Sequence, residues 1–325
     1  MSYEQEKKVA IEACIAAAQL CEKVRAEIVP EAIAKKDRSP VTVADFGSQG
    51  IICRAIAEAF PGDPIVGEED AAELSKPEMA ETLAKVTKFV SAIVPDATSE
   101  RVIEWIDGGN GEVGKRYWTL DPIDGTKGFL RGEQYAVALA LVENGEVKLG
   151  VLACPALSRN IAEETGDRGL LFVAVRGEGA TVVPISGGTP EPIEVVSSQD
   201  KTNLRFVESV ESGHGDQSLQ SAIAATVGIT AASLRMDSQA KYAAVACGQA
   251  ALYLRLPSPK TPDYREKIWD HAAGVIVVEE AGGRVTDMHG KPLDFSLGAK
   301  LVKNQGVVVS NGAMHDAVIA ALKES

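Results

Sequence analysis

The stretch that most constrains this chain is Tyr117-Trp118-Thr119-Leu120 running into Asp121-Pro122-Ile123-Asp124-Gly125-Thr126 and then Lys127-Gly128-Phe129. The apolar and aromatic run reads as a buried strand. It ends on a carboxylate, a proline that fixes φ, a second carboxylate and a glycine free to take φ > 0. A turn of this kind at a strand's end aims both carboxylates at one point, with the Ile123 carbonyl between them and the Thr126 hydroxyl beside them. Oxygen-only donors suit a hard divalent cation such as Mg²⁺ better than zinc. The same six residues also make an ordinary polar turn, where Asp, Pro and Gly are common. The rest of the chain has to separate the two readings.

At 325 residues there is room for a large core and two domains. Hydrophobic residues at 45% and charged residues at 24% describe a soluble globular protein. The N-terminal residues lack a signal-peptide pattern, and no apolar run approaches the roughly 20 residues needed to span a bilayer. Cys14, Cys21, Cys53, Cys154 and Cys247 are scattered, without metal-type spacing. Reduced thiols in a cytoplasmic protein are the expectation, and a redox switch through Cys14 and Cys21 is the less favoured reading. A net charge of −13 argues against a nucleic-acid polymer as partner. A small anionic substrate remains compatible, because a bound metal dominates its own surroundings.

Apolar residues at helical spacing predict a first helix over Tyr3–Ile28, with Cys14 and Cys21 on one face. A linker, Lys35 to Pro40, leads to Val41-Thr42-Val43-Ala44-Asp45 and a second helix that Pro61-Gly62-Asp63-Pro64 stops after Phe60. Ile65-Val66-Gly67 reads as a short strand, and Leu74–Val94 and Ser99–Ile106 as helices. Strands follow at Tyr135–Val142, Val147–Ala153 and Leu170–Val175, with Asn144-Gly145 as a hairpin signal. Pro184–Gln199, rich in Gly, Pro and Ser, is the candidate boundary between an N-terminal α+β domain (1–200) and a C-terminal α/β domain (201–325). In the latter, strands near Arg205–Glu208, Ala250–Arg255, Gly283–Thr286 and Gly306–Ser310 alternate with helices at Gln217–Val227, Ala240–Cys247, His271–Ala281 and Ala313–Leu322.

Two further carboxylates stand where a strand ends or a helix starts. Glu68, in Gly67-Glu68-Glu69-Asp70, reads alone as a solvated acidic turn, and Asp270, in Trp269-Asp270-His271-Ala272-Ala273-Gly274, as a helix N-cap. Were Glu68, Asp121, Asp124 and Asp270 to converge, each pair of charges about 4 Å apart would cost roughly 4 kcal/mol at an effective dielectric of 20. Two Mg²⁺ ions would balance the four charges. Such a site suits in-line displacement at phosphorus by a metal-activated water.

These three segments, with Glu280-Ala281-Gly282-Gly283, resemble the inositol monophosphatase superfamily of lithium-sensitive, magnesium-dependent phosphomonoesterases, over nearly the whole chain. Within it, Asp237-Ser238-Gln239-Ala240-Lys241-Tyr242, Tyr253-Leu254-Arg255-Leu256-Pro257 and Tyr264-Arg265-Glu266-Lys267-Ile268-Trp269-Asp270 resemble the 3'(2'),5'-bisphosphate nucleotidase branch. That branch cleaves 3'-phosphoadenosine 5'-phosphate to AMP and phosphate, in sulfur assimilation, and its 5'-phosphosulfate analogue is a possible further substrate. The resemblance implies a layered α/β/α/β/α sugar-phosphatase-like fold with the site between two domains and two or three Mg²⁺ ions per site. It implies Glu68, Asp121, the Ile123 carbonyl, Asp124 and Asp270 as metal ligands, and Asp45 with Thr126 as the pair that polarises the attacking water. Gly125, Thr126, His214, Ser238, Lys241, Arg255 and Asp270 match substrate contacts. Lysine and arginine offer a point charge and a bidentate fork for the second phosphate. Singly, Lys241 reads as a solvated helix residue, Arg255 as a strand-end charge, Ser238 as a helix cap and His214 as a surface polar group. The branch often carries a second histidine after the position of His214; here the loop runs His214-Gly215-Asp216-Gln217 and is shortened. The alternatives are an inositol phosphate or inositol polyphosphate 1-phosphatase, and a non-catalytic nucleotide sensor. A sensor would have no use for the Asp45–Thr126 pair.

Overall fold

Ala10, Ala13, Cys14, Ala17, Leu20, Cys21 and Val24 are all buried along one side of the helix Glu4–Glu27, as their spacing predicts. The computed structural model describes residues 3–28, 39–161, 165–200, 202–210 and 217–325. A second helix, Ser39–Ala59, packs against the first. It starts earlier than the sequence pattern suggests. Ser39 and Pro40 of the expected linker already belong to it, so Asp45 sits inside a helix rather than before one.

Both helices cover one face of a seven-stranded sheet. Its strands, in spatial and sequence order, are β1 (Ile65–Gly67), β2 (Arg116–Asp124), β3 (Ala136–Glu143), β4 (Glu146–Asn160), β5 (Thr165–Val175), β6 (Gly179–Pro184) and β7 (Glu191–Pro192). β1 runs parallel to β2 and the remaining neighbours are antiparallel. Asn144 (φ 53°) and Gly145 (φ 78°) make the tight β3–β4 turn that their dipeptide announces. The helix expected over Leu74–Val94 is broken. Ala71–Leu74 is one short helix, Pro77–Met79 a 3₁₀ turn and Ala80–Ser91 a second helix. Pro77 has no N–H to continue the ladder, and it restarts the chain instead.

The second sheet has the order β11 (Arg284–Thr286), β12 (Val307–Ser310), β10 (Leu252–Arg255), β8 (Phe206–Glu208), β9 (Leu234–Arg235). Helices Ala240–Ala246 and Ala272–Glu280 lie between the two sheets and are buried on nearly every side, which explains why the latter is apolar throughout rather than amphipathic. Gly274 lets the two helices close together, since a methyl group there would overlap the Tyr242 ring. Helices Gln217–Thr226 and His315–Glu324 cover the outer face of the second sheet. The result is helix, sheet, helix, sheet, helix in five layers. This is the layering that the family resemblance implies.

Candidate active site

Register places the first two acids. Gly67 of β1 lies opposite Leu120 of the parallel β2, so the residues that follow, Glu68 and Asp121, come side by side where β1 ends. Between Asp121 and Asp124 the β2–β3 pairing slips, with Asp121 opposite Ala138 but Asp124 opposite Ala136. A bulge of this kind turns the strand and re-aims its side chains. The Ile123 N–H donates to Asp121 Oδ1 at 3.1 Å and fixes the turn. Gly125 then takes φ +89°, and a Cβ there would sit 2.9 Å from Ser238 Cβ, so only glycine fits. Thr126 opens the short helix Thr126–Arg131 and is exposed.

The 237–241 segment reaches the same place from the second half of the chain. Ser238 is held at φ 67°, and its hydroxyl accepts from the Ala240 N–H at 3.1 Å. Its neighbour Gln239 stitches three segments together. The Gln239 N–H donates to Asp124 Oδ2 at 2.7 Å, its side-chain amide donates to the Trp269 carbonyl at 2.9 Å, and its amide oxygen accepts from the Gly274 N–H at 3.0 Å. Asp124 and the carbonyl of Trp269, the residue before Asp270, are thereby held by one residue. Gln49 does the same for the acidic loop: its amide donates to the Glu69 carbonyl at 2.6 Å and accepts from the Glu69 N–H at 3.0 Å. Neither glutamine stands out in sequence, because each works through residues far away in the chain.

Glu68, Asp121, Ile123, Asp124, Gly125, Thr126, Ser238, Lys241, Arg255 and Asp270 all line one cavity of about 200 Å³. Ile123 has its side chain buried in the core, which leaves backbone to face that space. Asp45 is not in the cavity wall. It lies buried behind it, close to Glu69 and Glu68, and no hydrogen bond joins it to Thr126. His214 falls outside the described residues.

The acids crowd one another. Burial first, then Glu68, Asp124 and Asp270, push the Asp121 carboxyl far above the usual range. Glu68 is pushed up to about 7 by burial and Glu69, with Lys267 pulling the other way. Asp270 is pushed up to about 7 by burial and Asp124, against the nearby Arg255 guanidinium. Carboxylates that raise one another in this way lack a counter-charge, and their all-oxygen donor set fits a hard divalent cation. Lys267, missed in sequence, stacks 4.7 Å over the Trp269 ring.

Lys241, Arg255 and the exposed Lys127 share the cavity with the acids. Lys241 is buried, its Nζ 5.2 Å from the centre of the Tyr253 ring. Burial pulls its pKa down to about 8, partly offset by Asp124. Arg255 donates from Nε to Glu266 at 2.8 Å, and its Nη2 lies 3.7 Å from Asp270. Among the described residues, Glu266, Asp270 and His271 also bring one donor atom each within 4.8 Å of one another. Glu266 is already neutralised by Arg255, so this trio is an ion-pair network rather than a second cation centre.

With the geometry in place, the comparisons with known proteins decide the family. The family model described as Inositol monophosphatase family matches residues 2–325. The chain belongs to the inositol monophosphatase family. It is 43% identical over 341 residues to the 3'(2'),5'-bisphosphate nucleotidase of Schizosaccharomyces pombe, covering 99% of this chain and 96% of that protein. Its identity to the protein of the same name from Oryza sativa is 43% over 342 residues, covering 99% and 95%. The inositol monophosphatase structure from Anabaena shares the fold with a TM-score of 0.64 at 21% identity, covering 100% of this chain and 97% of that one. CysQ from Bacteroides thetaiotaomicron, another family member, superposes with a TM-score of 0.59 at 20% identity, covering 94% and 96%.

Proposed function

We propose that this protein is a magnesium-dependent 3'(2'),5'-bisphosphate nucleotidase that removes the 3'-phosphate of 3'-phosphoadenosine 5'-phosphate and also accepts its 5'-phosphosulfate. The observation that carries this reading is the division of charge in one cavity. Four carboxylates gather around the end of β2, and the buried Lys241 and half-buried Arg255 face the same space. A substrate with one phosphate needs only the first group. A bisphosphate uses both. The chain's similarity over its whole length to relatives named bisphosphate nucleotidase agrees with it. An adjoining cavity of about 430 Å³ shares the Asp237 wall and has room for the part of a nucleotide that the first cannot hold.

Glu68, Asp121, Asp124, Asp270 and the Ile123 carbonyl would hold two or three Mg²⁺ ions, which when bound supply the positive charge that phosphoryl transfer requires. The protein's own groups do the rest. The exposed Thr126 hydroxyl orients the attacking water, with Asp45 acting from behind Glu68. Gly125 and Ser238 shape the wall against which the substrate lies, with His214 a further contact. Arg255 presents a fork to the 5'-phosphate and Lys241 a point charge. We also place a domain division near residue 200, between the last strand of the first sheet at Pro192 and the first strand of the second at Phe206. Five free cysteines fit a reducing, cytoplasmic setting. Among the described residues no helix is long and apolar enough to cross a membrane.

The test is phosphate release from adenosine 3',5'-bisphosphate, its phosphosulfate, adenosine 3'-monophosphate and inositol 1-phosphate, with Mg²⁺ and with excess chelator. The bisphosphate should be the best substrate and chelator should abolish turnover. A preference for inositol 1-phosphate, or full activity in chelator, would overturn the assignment.

A further inference from the structure

The buried chain behind Arg255 has no part in the chemistry described above. Tyr242 Oη lies 2.6 Å from His271 Nδ1, His271 Nε2 lies 3.4 Å from Glu266 Oε2, and Glu266 Oε2 accepts from Arg255 Nε at 2.8 Å. Tyr242, His271 and Glu266 are all buried. The three groups connect when the tyrosine hydroxyl donates to Nδ1 and the Nε2–H donates to the carboxylate. We propose that Glu266, oriented by His271 and Tyr242, is a positioning residue for Arg255, and that this buried relay sets the preference for substrates carrying a second phosphate. The proposal rests on the nucleotidase reading.

The physical reason lies in the guanidinium's geometry. Arg255 ends a short strand, and a long flexible side chain there would sample many rotamers. Binding its Nε to a buried carboxylate fixes the plane of the guanidinium and leaves the two terminal nitrogens as a fork facing the cavity. Glu266 suits that task because it stays ionised. Burial pushes its carboxyl up, but the His271 hydrogen bond and the Arg255 charge outweigh this and hold it below the usual carboxylate range. Lys241 is held differently, over the Tyr253 ring with its Nζ 3.5 Å from the Met236 carbonyl. Of these two cations, only Arg255 is paired with the relay's carboxylate.

The experiment compares wild type, Glu266→Gln and Tyr242→Phe. For each, kcat and KM are measured on adenosine 3',5'-bisphosphate and on adenosine 3'-monophosphate at saturating Mg²⁺, with the Mg²⁺ half-saturation and the melting temperature. Glu266→Gln should raise KM for the bisphosphate about 10–100-fold, the worth of one charged hydrogen bond. Its kcat, its use of the monophosphate and its Mg²⁺ requirement should stay within about threefold of wild type. Tyr242→Phe, which removes one hydroxyl, should shift KM for the bisphosphate the same way by about threefold. Equal losses on both substrates would overturn the proposal in favour of a purely structural role. A fall in kcat with a raised Mg²⁺ requirement would overturn it in favour of a metal ligand. Should Glu266→Gln fail to fold, Tyr242→Phe decides alone, and an unchanged KM ratio overturns the proposal. A wild type that uses both substrates equally would instead overturn the nucleotidase reading itself.

Discussion

Asp270 offers a measurement in which stability and function pull in opposite directions. Its carboxyl stands at about 7 against an ordinary 3.8, driven up by burial and Asp124 despite the nearby Arg255. A carboxyl raised in the folded state contributes stability that is fully present below about pH 4 and is lost as pH rises towards 7. At about 1.36 kcal/mol per pKa unit, its ionisation costs the metal-free fold at most about 4 kcal/mol above pH 7. Relaxation of neighbouring acids and entry of water reduce this to about 1–2 kcal/mol. Asp270→Asn keeps the shape and removes the charge. In excess chelator at pH 8 the variant should melt about 1.5–3 °C above wild type, with the gain shrinking by more than half at pH 5. Mg²⁺ should reverse the order, stabilising wild type and not the variant, because ligand binding stabilises only a fold that can bind. Scanning calorimetry at both pH values, with and without Mg²⁺, provides the readings. A variant less stable than wild type in chelator at pH 8, or a gain independent of pH, would refute the claim that uncompensated carboxylates strain this site.

Thr126→Ala should lower kcat by roughly 10²–10⁴-fold, the usual worth of general acid–base assistance, with a smaller effect on KM; steady-state kinetics showing loss of affinity alone would make Thr126 a binding residue. Lys241, with its pKa drawn down to about 8 by burial, loses its charge as pH rises through that value, so KM for the bisphosphate should climb above pH 8 while KM for the monophosphate does not; parallel profiles would remove Lys241 from the second phosphate. Gly274→Ala forces a methyl group into the Tyr242 ring and should destabilise the fold by about 1–3 kcal/mol, read as an earlier denaturant midpoint at unchanged slope. Lithium should inhibit at concentrations where potassium does not, and equal insensitivity in a phosphate-release assay would count against the family's chemistry in this chain.

The sequence alone determined what depends on near neighbours. The helical spacing from Ala10 to Val24, the Asn144-Gly145 turn and the proline–glycine chemistry of residues 121–125 are local, and each reappears where it was expected. The five-layer order came from the resemblance to the family and not from the succession of such elements. Local pattern failed where a single residue overrode it, as Pro77 does in the interrupted helix. Whether the 121–126 turn was a site or only a turn could not be read locally, because Glu68, Asp121 and Asp270 meet only through the β1–β2 register and the packing of two sheets. Likewise Gln239 is an unremarkable helix-edge amide until Asp124, Trp269 and Gly274 close around it. Asp45, paired with Thr126 by resemblance, is buried beside Glu69 and Glu68 and is not among the residues lining the cavity. Glu266, His271 and Tyr242 read as ordinary polar and aromatic residues, and only burial makes them a relay. Charges and hydrogen bonds acquire their energies from the distance and dielectric between groups remote in sequence, and tertiary structure alone sets both.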